Sequence, residues 1–124
     1  MFELTVETSF AAAHCLEGYP SPCSRLHGHN WTVAVTVAGE QLNDAGMLVD
    51  FKVLKEAVRD VVGELDHRYL NELPFFKKGT GPTAENIARY VFSAVAERFS
   101  AGDRVHVKEV RVAESPVAWV VYKP

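Results

Sequence analysis

The sequence predicts an α+β domain in the order β-β-α-α-β-β, a four-stranded antiparallel sheet with two helices on one face. Three observations carry that prediction. The N-terminal segment alternates apolar and polar residues, two central segments repeat apolar residues at helical spacing, and two β-rich runs close the chain around a turn.

From Phe2 the even positions Leu4, Val6, Phe10 and Ala12 are apolar, whereas Glu3, Thr5, Glu7 and Ser9 occupy the odd ones, which reads as a first strand over residues 2–13. Gly18, Pro20, Ser21, Pro22 and Ser24 mark the next stretch as a loop, and the β-branched density of residues 31–38 gives a second strand. A turn with Asn43, Asp44 and Gly46 leads to Asp50, a good N-cap. Leu54, Ala57, Val58, Val61, Val62 and Leu65 then trace one face of a first helix. A linker containing Pro74, Lys77, Lys78, Gly79 and Gly81 follows. Thr83 caps a second helix, with Glu85 in its first turn, an apolar stripe from Ala84 through Ile87, Val91 and Val95 to Phe99, and Gly102 as its stop. Residues 104–114 and 117–123 form two strands joined at Ser115-Pro116. Each helix has one apolar face, so both pack on the same side of the sheet.

The 124 residues amount to one domain, and the 48% hydrophobic and 23% charged content is that of an ordinary globular core. Net charge −3 and a pI near 5.9 disfavour nucleic acid and anionic membrane surfaces as partners. No apolar run approaches the ~18 residues of a membrane span and no basic-then-apolar leader opens the chain, so a cytoplasmic location is expected. In a reducing compartment the two cysteines, Cys15 and Cys23, are catalytic, metal-binding or simply buried rather than bridged.

His27-Gly28-His29 places two imidazoles two residues apart where the chain enters the second strand, so they share a face. Gly28 removes side-chain bulk beside whatever they bind. His14 ends the first strand, and an antiparallel pairing of the two strands brings it alongside. Three histidines with an open fourth position suit a catalytic zinc ion. A closed structural site completed by Cys23, or histidines that only hydrogen-bond, are the plainer alternatives. Cys15 faces away from His14, and His106 reads as a surface or packing residue.

Elements that alternate in direction return alternate termini to the same end. His14, the Cys23 loop, His27, His29, Asp66, His67 and Glu114 then share one end, and His106 lies at the other. Asp66 and His67 make a carboxylate–imidazole pair suited to proton transfer. Their plainer readings are a helix-end hydrogen bond and a favourable charge at the helix C-terminus. Glu114 precedes the hairpin turn in an apolar strand, where an exposed strand-end carboxylate is equally ordinary. A nearby metal and imidazolium would lower the pKa of Cys23, making it a base or nucleophile. Arg25, Lys77 and Lys78 are candidate phosphate contacts, but they read as ordinary solvated charges.

Phe10-Ala11-Ala12-Ala13-His14, Cys23-x3-His27-Gly28-His29, Leu65-Asp66-His67-x2-Leu70-Asn71, Pro82-Thr83-x-Glu85-Asn86 and Glu114 occur together and in order. The chain thereby resembles the 6-pyruvoyltetrahydropterin synthase family over nearly its whole length, and within it the 6-carboxytetrahydropterin synthase branch. The resemblance implies the tunnelling fold (T-fold), with ββααββ subunits closed into trimeric barrels and two trimers stacked as a homohexamer. It implies Zn2+ on His14, His27 and His29, proton transfers by Cys23, Asp66 and His67, and Glu114 anchoring a pterin ring. The Asp-His pair would reach the site from a neighbouring subunit. The implied substrate is 7,8-dihydroneopterin triphosphate, a small-molecule pterin triphosphate. In the family pattern three residues between Cys and His-Gly-His mark the carboxy-forming type, which releases acetaldehyde on a route to queuosine, and five mark the pyruvoyl type. This chain has three: Ser24, Arg25 and Leu26. Ser115 stands where the family often has threonine, and it keeps the hydroxyl.

Overall fold

A computed structural model describes residues 1–19, 22–77, 81–99 and 104–124. The first strand, β1 (Phe2–His14), pairs antiparallel with β2 (His27–Gly39) from Phe2↔Gly39 to His14↔His27. β4 (His106–Ser115) pairs with the other edge of β2, and β5 (Ala118–Tyr122) returns along β4 after a turn at Pro116-Val117. β2 starts earlier than its β-branched run, because the ladder with β1 carries it back through His27. The two outer imidazoles therefore sit on a strand rather than in a loop.

The sheet has five strands rather than four, in the order β3-β1-β2-β4-β5. The additional strand, β3, is only Arg68–Tyr69, and it lies parallel to β1 with Ala12↔Arg68 and Ala13↔Tyr69. Two residues carry no periodicity, and their extended form comes from the β1 edge beside them. The segment read as a linker is likewise structured. It holds a 3-10 turn over Leu70–Glu72 and a short helix, α2 (Pro74–Lys77), with proline in its first position and Phe76 buried.

Both longer helices form where apolar spacing and caps place them. In α1 (Phe51–Gly63) the Asp50 carboxylate accepts from the Lys52 N–H at 2.8 Å; in α3 (Ala84–Ala96) the Thr83 hydroxyl accepts from the Asn86 N–H at 3.1 Å. The Gly102 stop lies outside the described residues. α1 packs on β1, and α3 packs on β4 and β5 as well as on α1, so both cover one face. That face is the core. Trp31, Val33, Val35 and Val37 of β2 meet Leu54, Val58 and Val61 of α1 and Ile87, Val91 and Val95 of α3. Each of these side chains is fully or almost fully buried, a state that stabilises by roughly 1.5–3 kcal/mol per large aliphatic residue.

Gly39 ends β2 where no side chain fits. A Cβ there would stand 2.3 Å from the Arg104 carbonyl oxygen and 2.6 Å from Leu48 Cδ1.

Candidate metal centre

Strand alternation builds the site. Register places Ala12 opposite His29 and His14 opposite His27, so all three imidazoles leave the sheet on its helix-covered face. Glu114 reaches the same place from β4. Val110 and Val112 of β4 face the core, so strand alternation puts Glu114 on the same side. Ala113 pairs with Trp119 and Ser115 with Ala118, which also makes Glu114 the extra residue of a bulge against β5. One ligand atom from each of His14, His27, His29 and Glu114 lies within 4.8 Å of the others. Trp31 forms the floor, edge-on to His14 and His29 with ring centroids 5.0 and 5.1 Å away, its indole N–H donating to the Ala12 carbonyl.

The ring nitrogens have fixed roles. His14 Nδ1–H donates to the Pro82 carbonyl and His27 Nδ1–H donates to the Arg25 carbonyl, each at 2.7 Å. Each Nε2 is thereby left with a lone pair, yet the two Nε2 atoms stand 2.9 Å apart. Two lone pairs at that distance repel unless a proton or a cation lies between them. His29 Nε2 is 2.7 Å from Glu114 Oε1, but it is buried and makes no hydrogen bond of good geometry. Burial is the leading cause that lowers the pKa of both His14 and His29, offset in part by the Pro82 carbonyl for His14 and by the Glu114 carboxylate for His29. Converging imidazole nitrogens beside a carboxylate are the donor set of a metal site, and carbonyl-held Nδ1–H groups are its usual outer shell. The residues present therefore fit a divalent cation. His14 is buried while the other three are partly exposed, so the cluster opens on one side.

The remaining candidates lie at the same end but outside this cluster. Asp66 and His67 follow α1 along the edge of β1 that β3 joins. The Asp66 carboxylate accepts from the Ala11 N–H at 2.9 Å, and the His67 N–H donates back to the Ala11 carbonyl at 2.6 Å. His67 Nδ1 stands 3.0 Å from Asp66 Oδ2, so the carboxylate orients the ring and leaves Nε2 as its working atom. The Ala11 N–H is the main cause holding the Asp66 carboxyl below its ordinary pKa, and His67 adds to it. His67 borders a cavity of about 540 Å³ with Ala11, Ala13, Gly28 and Asn30. Those are the alternate positions of β1 and β2, on the sheet face opposite the imidazoles, and Ala12 and His29 line the cavity as well. Gly28 lies on that face, away from the cluster, and a Cβ on it would meet nothing nearer than the Ala12 carbonyl at 3.9 Å, so no steric demand for glycine shows there.

Cys23 lies in a 3-10 turn over Pro22–Ser24, and its carbonyl accepts from the Leu16 N–H at 2.8 Å, which holds the loop against the end of β1. Cys15 turns away from the cluster, with Sγ 3.3 Å from the Tyr69 hydroxyl, a contact that leads in pushing the phenol up to about 12. His106 sits at the far end of the sheet, opposite Ala38. Arg25 is exposed and serves through its carbonyl, Lys77 lines a cleft beside Cys15 and Asn71, and Lys78 lies outside the described residues. The backbone partners Pro82 and Arg25 escape a reading by residue type, since any residue supplies a carbonyl. Asn71 and Asn86 were visible as parts of motifs, without a role.

The fold and this cluster agree with comparisons to known proteins. The profile of the family described as 6-pyruvoyl tetrahydropterin synthase matches residues 3–124. The 6-carboxy-5,6,7,8-tetrahydropterin synthase of Bacillus subtilis is 37% identical over 128 residues, covering 99% of this chain and 86% of that protein. Its namesake in Synechocystis is 38% identical over 102 residues, covering 78% and 77%. The structure of 6-pyruvoyl tetrahydropterin synthase from Caenorhabditis elegans superposes with a TM-score of 0.83 at 31% identity, over 100% of this chain and 97% of that one. No helix among the described residues is long and apolar enough to cross a membrane. With a matching profile across almost its full length and relatives named as synthases over most of it, the chain is an enzyme of the 6-pyruvoyl tetrahydropterin synthase family.

Proposed function

We propose that this enzyme converts 7,8-dihydroneopterin triphosphate to 6-carboxy-5,6,7,8-tetrahydropterin with release of acetaldehyde and triphosphate, a step of 7-deazaguanine and queuosine synthesis in the cytoplasm. The observation that carries a metal-assisted reaction is the pair of Nε2 lone pairs 2.9 Å apart, each imidazole locked by a carbonyl at Nδ1. The carboxy-forming outcome is supported by the relatives' names and by the three-residue spacing between Cys23 and His27.

In this reading the whole chain is one domain, and His14, His27 and His29 hold Zn2+. When bound, the ion supplies a Lewis acid that makes protons on a coordinated hydroxyl and its carbon more acidic. Cys23 takes a proton from the substrate side chain as thiolate. His67 moves protons at Nε2, held in that tautomer by the Asp66 carboxylate at Nδ1. Glu114, on the core-facing side of β4 with Val110 and Val112, accepts hydrogen bonds from the amino group and adjacent ring N–H of the pterin. Six chains associate as two stacked trimers, with sites between subunits.

The test is incubation of the zinc-loaded protein with freshly made 7,8-dihydroneopterin triphosphate, followed by mass analysis of the pterin and an acetaldehyde assay. The carboxylated pterin with acetaldehyde is expected. A pyruvoyl product without acetaldehyde would replace the carboxy-forming assignment, and absence of any product would leave a binding module in its place.

A further inference from the structure

We propose that Asn71 and Asn86 are positioning residues for His14, each pinning one of the two backbone segments that fix its imidazole. The inference rests on the metal reading above and adds what this chain does to set one ligand.

His14 is the last residue of the β1–β2 ladder, so the backbone of Cys15 has no strand partner in that register. Asn71 supplies one. Its Oδ1 accepts from the Cys15 N–H at 3.0 Å and its Nδ2 donates to the Cys15 carbonyl at 2.9 Å, so a single amide satisfies both polar groups of the residue after His14. The other clamp stands in front of the ring. Asn86 Nδ2 donates to the Gly81 carbonyl at 2.9 Å, and the Thr83 N–H donates to the same oxygen at 2.8 Å. Pro82 is held between Gly81 and Thr83, and its carbonyl is the buried acceptor of His14 Nδ1–H. One asparagine thus sets where the His14 backbone ends, and the other sets where its ring points.

The contrast with His27 sharpens the assignment. Its Nδ1 partner, Arg25, is two residues away in the chain, whereas the partner of His14 is 68 residues away and Asn71 is 56 residues from Cys15. A ligand oriented by distant segments needs those segments locked to each other. Loss of an outer-shell partner of a metal ligand typically costs about 10–100-fold in metal affinity, and losing the clamp that holds such a partner in place acts on the same contact.

The full chain carries the test, with Zn2+ and Co2+ titrated against a competing chelator and the Co2+ ligand-field absorption recorded. Asn71→Ala and Asn86→Ala should each weaken metal affinity about 10-fold or more and alter the Co2+ bands, a signature that loss of fold stability alone does not produce. In a His14→Ala background the same substitutions should have no further effect on affinity, because the residue they act through is gone. Where an alanine variant does not fold, Asn71→Asp keeps the acceptor for the Cys15 N–H and loses the donor, so a partial loss is expected. Asn86→Asp loses its donor to the Gly81 carbonyl outright and should match the alanine loss. Unchanged affinity and spectra, or an equal loss in the His14→Ala background, overturn the proposal. A wild-type chain that binds neither metal overturns the metal reading itself, and that outcome is distinct because it appears before any substitution is made.

Discussion

His67 takes φ +58°, in the left-handed region where a side chain with a Cβ is strained by about 1–3 kcal/mol. Its N–H bond to the Ala11 carbonyl and the Asp66 bond to the Ala11 N–H hold it there, so two consecutive residues grip one residue of β1. The pairing makes Asp66 a structural as well as a chemical group. Its carboxyl is held below its ordinary value of 3.8, so the folded chain releases that proton more readily than the unfolded one. The unfolded chain then binds more protons between the two values, and stability rises with pH across that window. Asp66→Asn should therefore lower the thermal midpoint at pH 6, and the gap from wild type should close as pH falls through 3.8 and below. A gap that is constant from pH 6 to pH 2, followed by thermal scans, would show that the carboxylate charge is not what grips Ala11. The sequence displayed Asp66 and His67 as adjacent reactive groups; it gave no hint of the left-handed turn, since no glycine or asparagine occupies that position.

Elements with their own periodicity were legible, and those that borrow order from neighbours were not. α1 and α3 begin at the caps read from Asp50 and Thr83, because capping and an apolar face are local properties. β3 and α2 have two and four residues, too few for any period, and tertiary packing decides them. Glu114 shows the same limit in the site. Its strand-end position and its alternation with Val110 and Val112 were readable, but the pairing of β4 with β2 that sets it beside the imidazoles is a long-range register. At the other end of the sheet, Gly39 lets β2 pass close to Arg104 and Leu48. Gly39→Ala should cost about 1–3 kcal/mol, because backbone rather than a flexible side chain stands in the way. Urea unfolding measures it; a loss under about 0.5 kcal/mol would mean that the segment around Arg104 yields instead.

Across the whole molecule, alternating element directions bring every candidate except His106 to one end, and that count was available from the order of strands and helices alone. Direction does not determine face. Within a single chain the imidazoles and Glu114 occupy the helix-covered side, while His67 borders a cavity lined by Ala11, Ala13, Gly28 and Asn30 of the other face together with Ala12 and His29. The proposed assembly has the Asp-His pair serve a site on a neighbouring chain. Mixing two inactive variants tests this directly. Cys23→Ala retains His67 and His67→Ala retains Cys23, so unfolding and refolding them together allows sites that take Cys23 from one chain and His67 from another. In an equimolar mixture about a quarter of such sites hold both intact residues, and about a quarter of wild-type turnover should return. If one chain supplied both residues, every site would carry a defect and the mixture would stay as inactive as either variant alone.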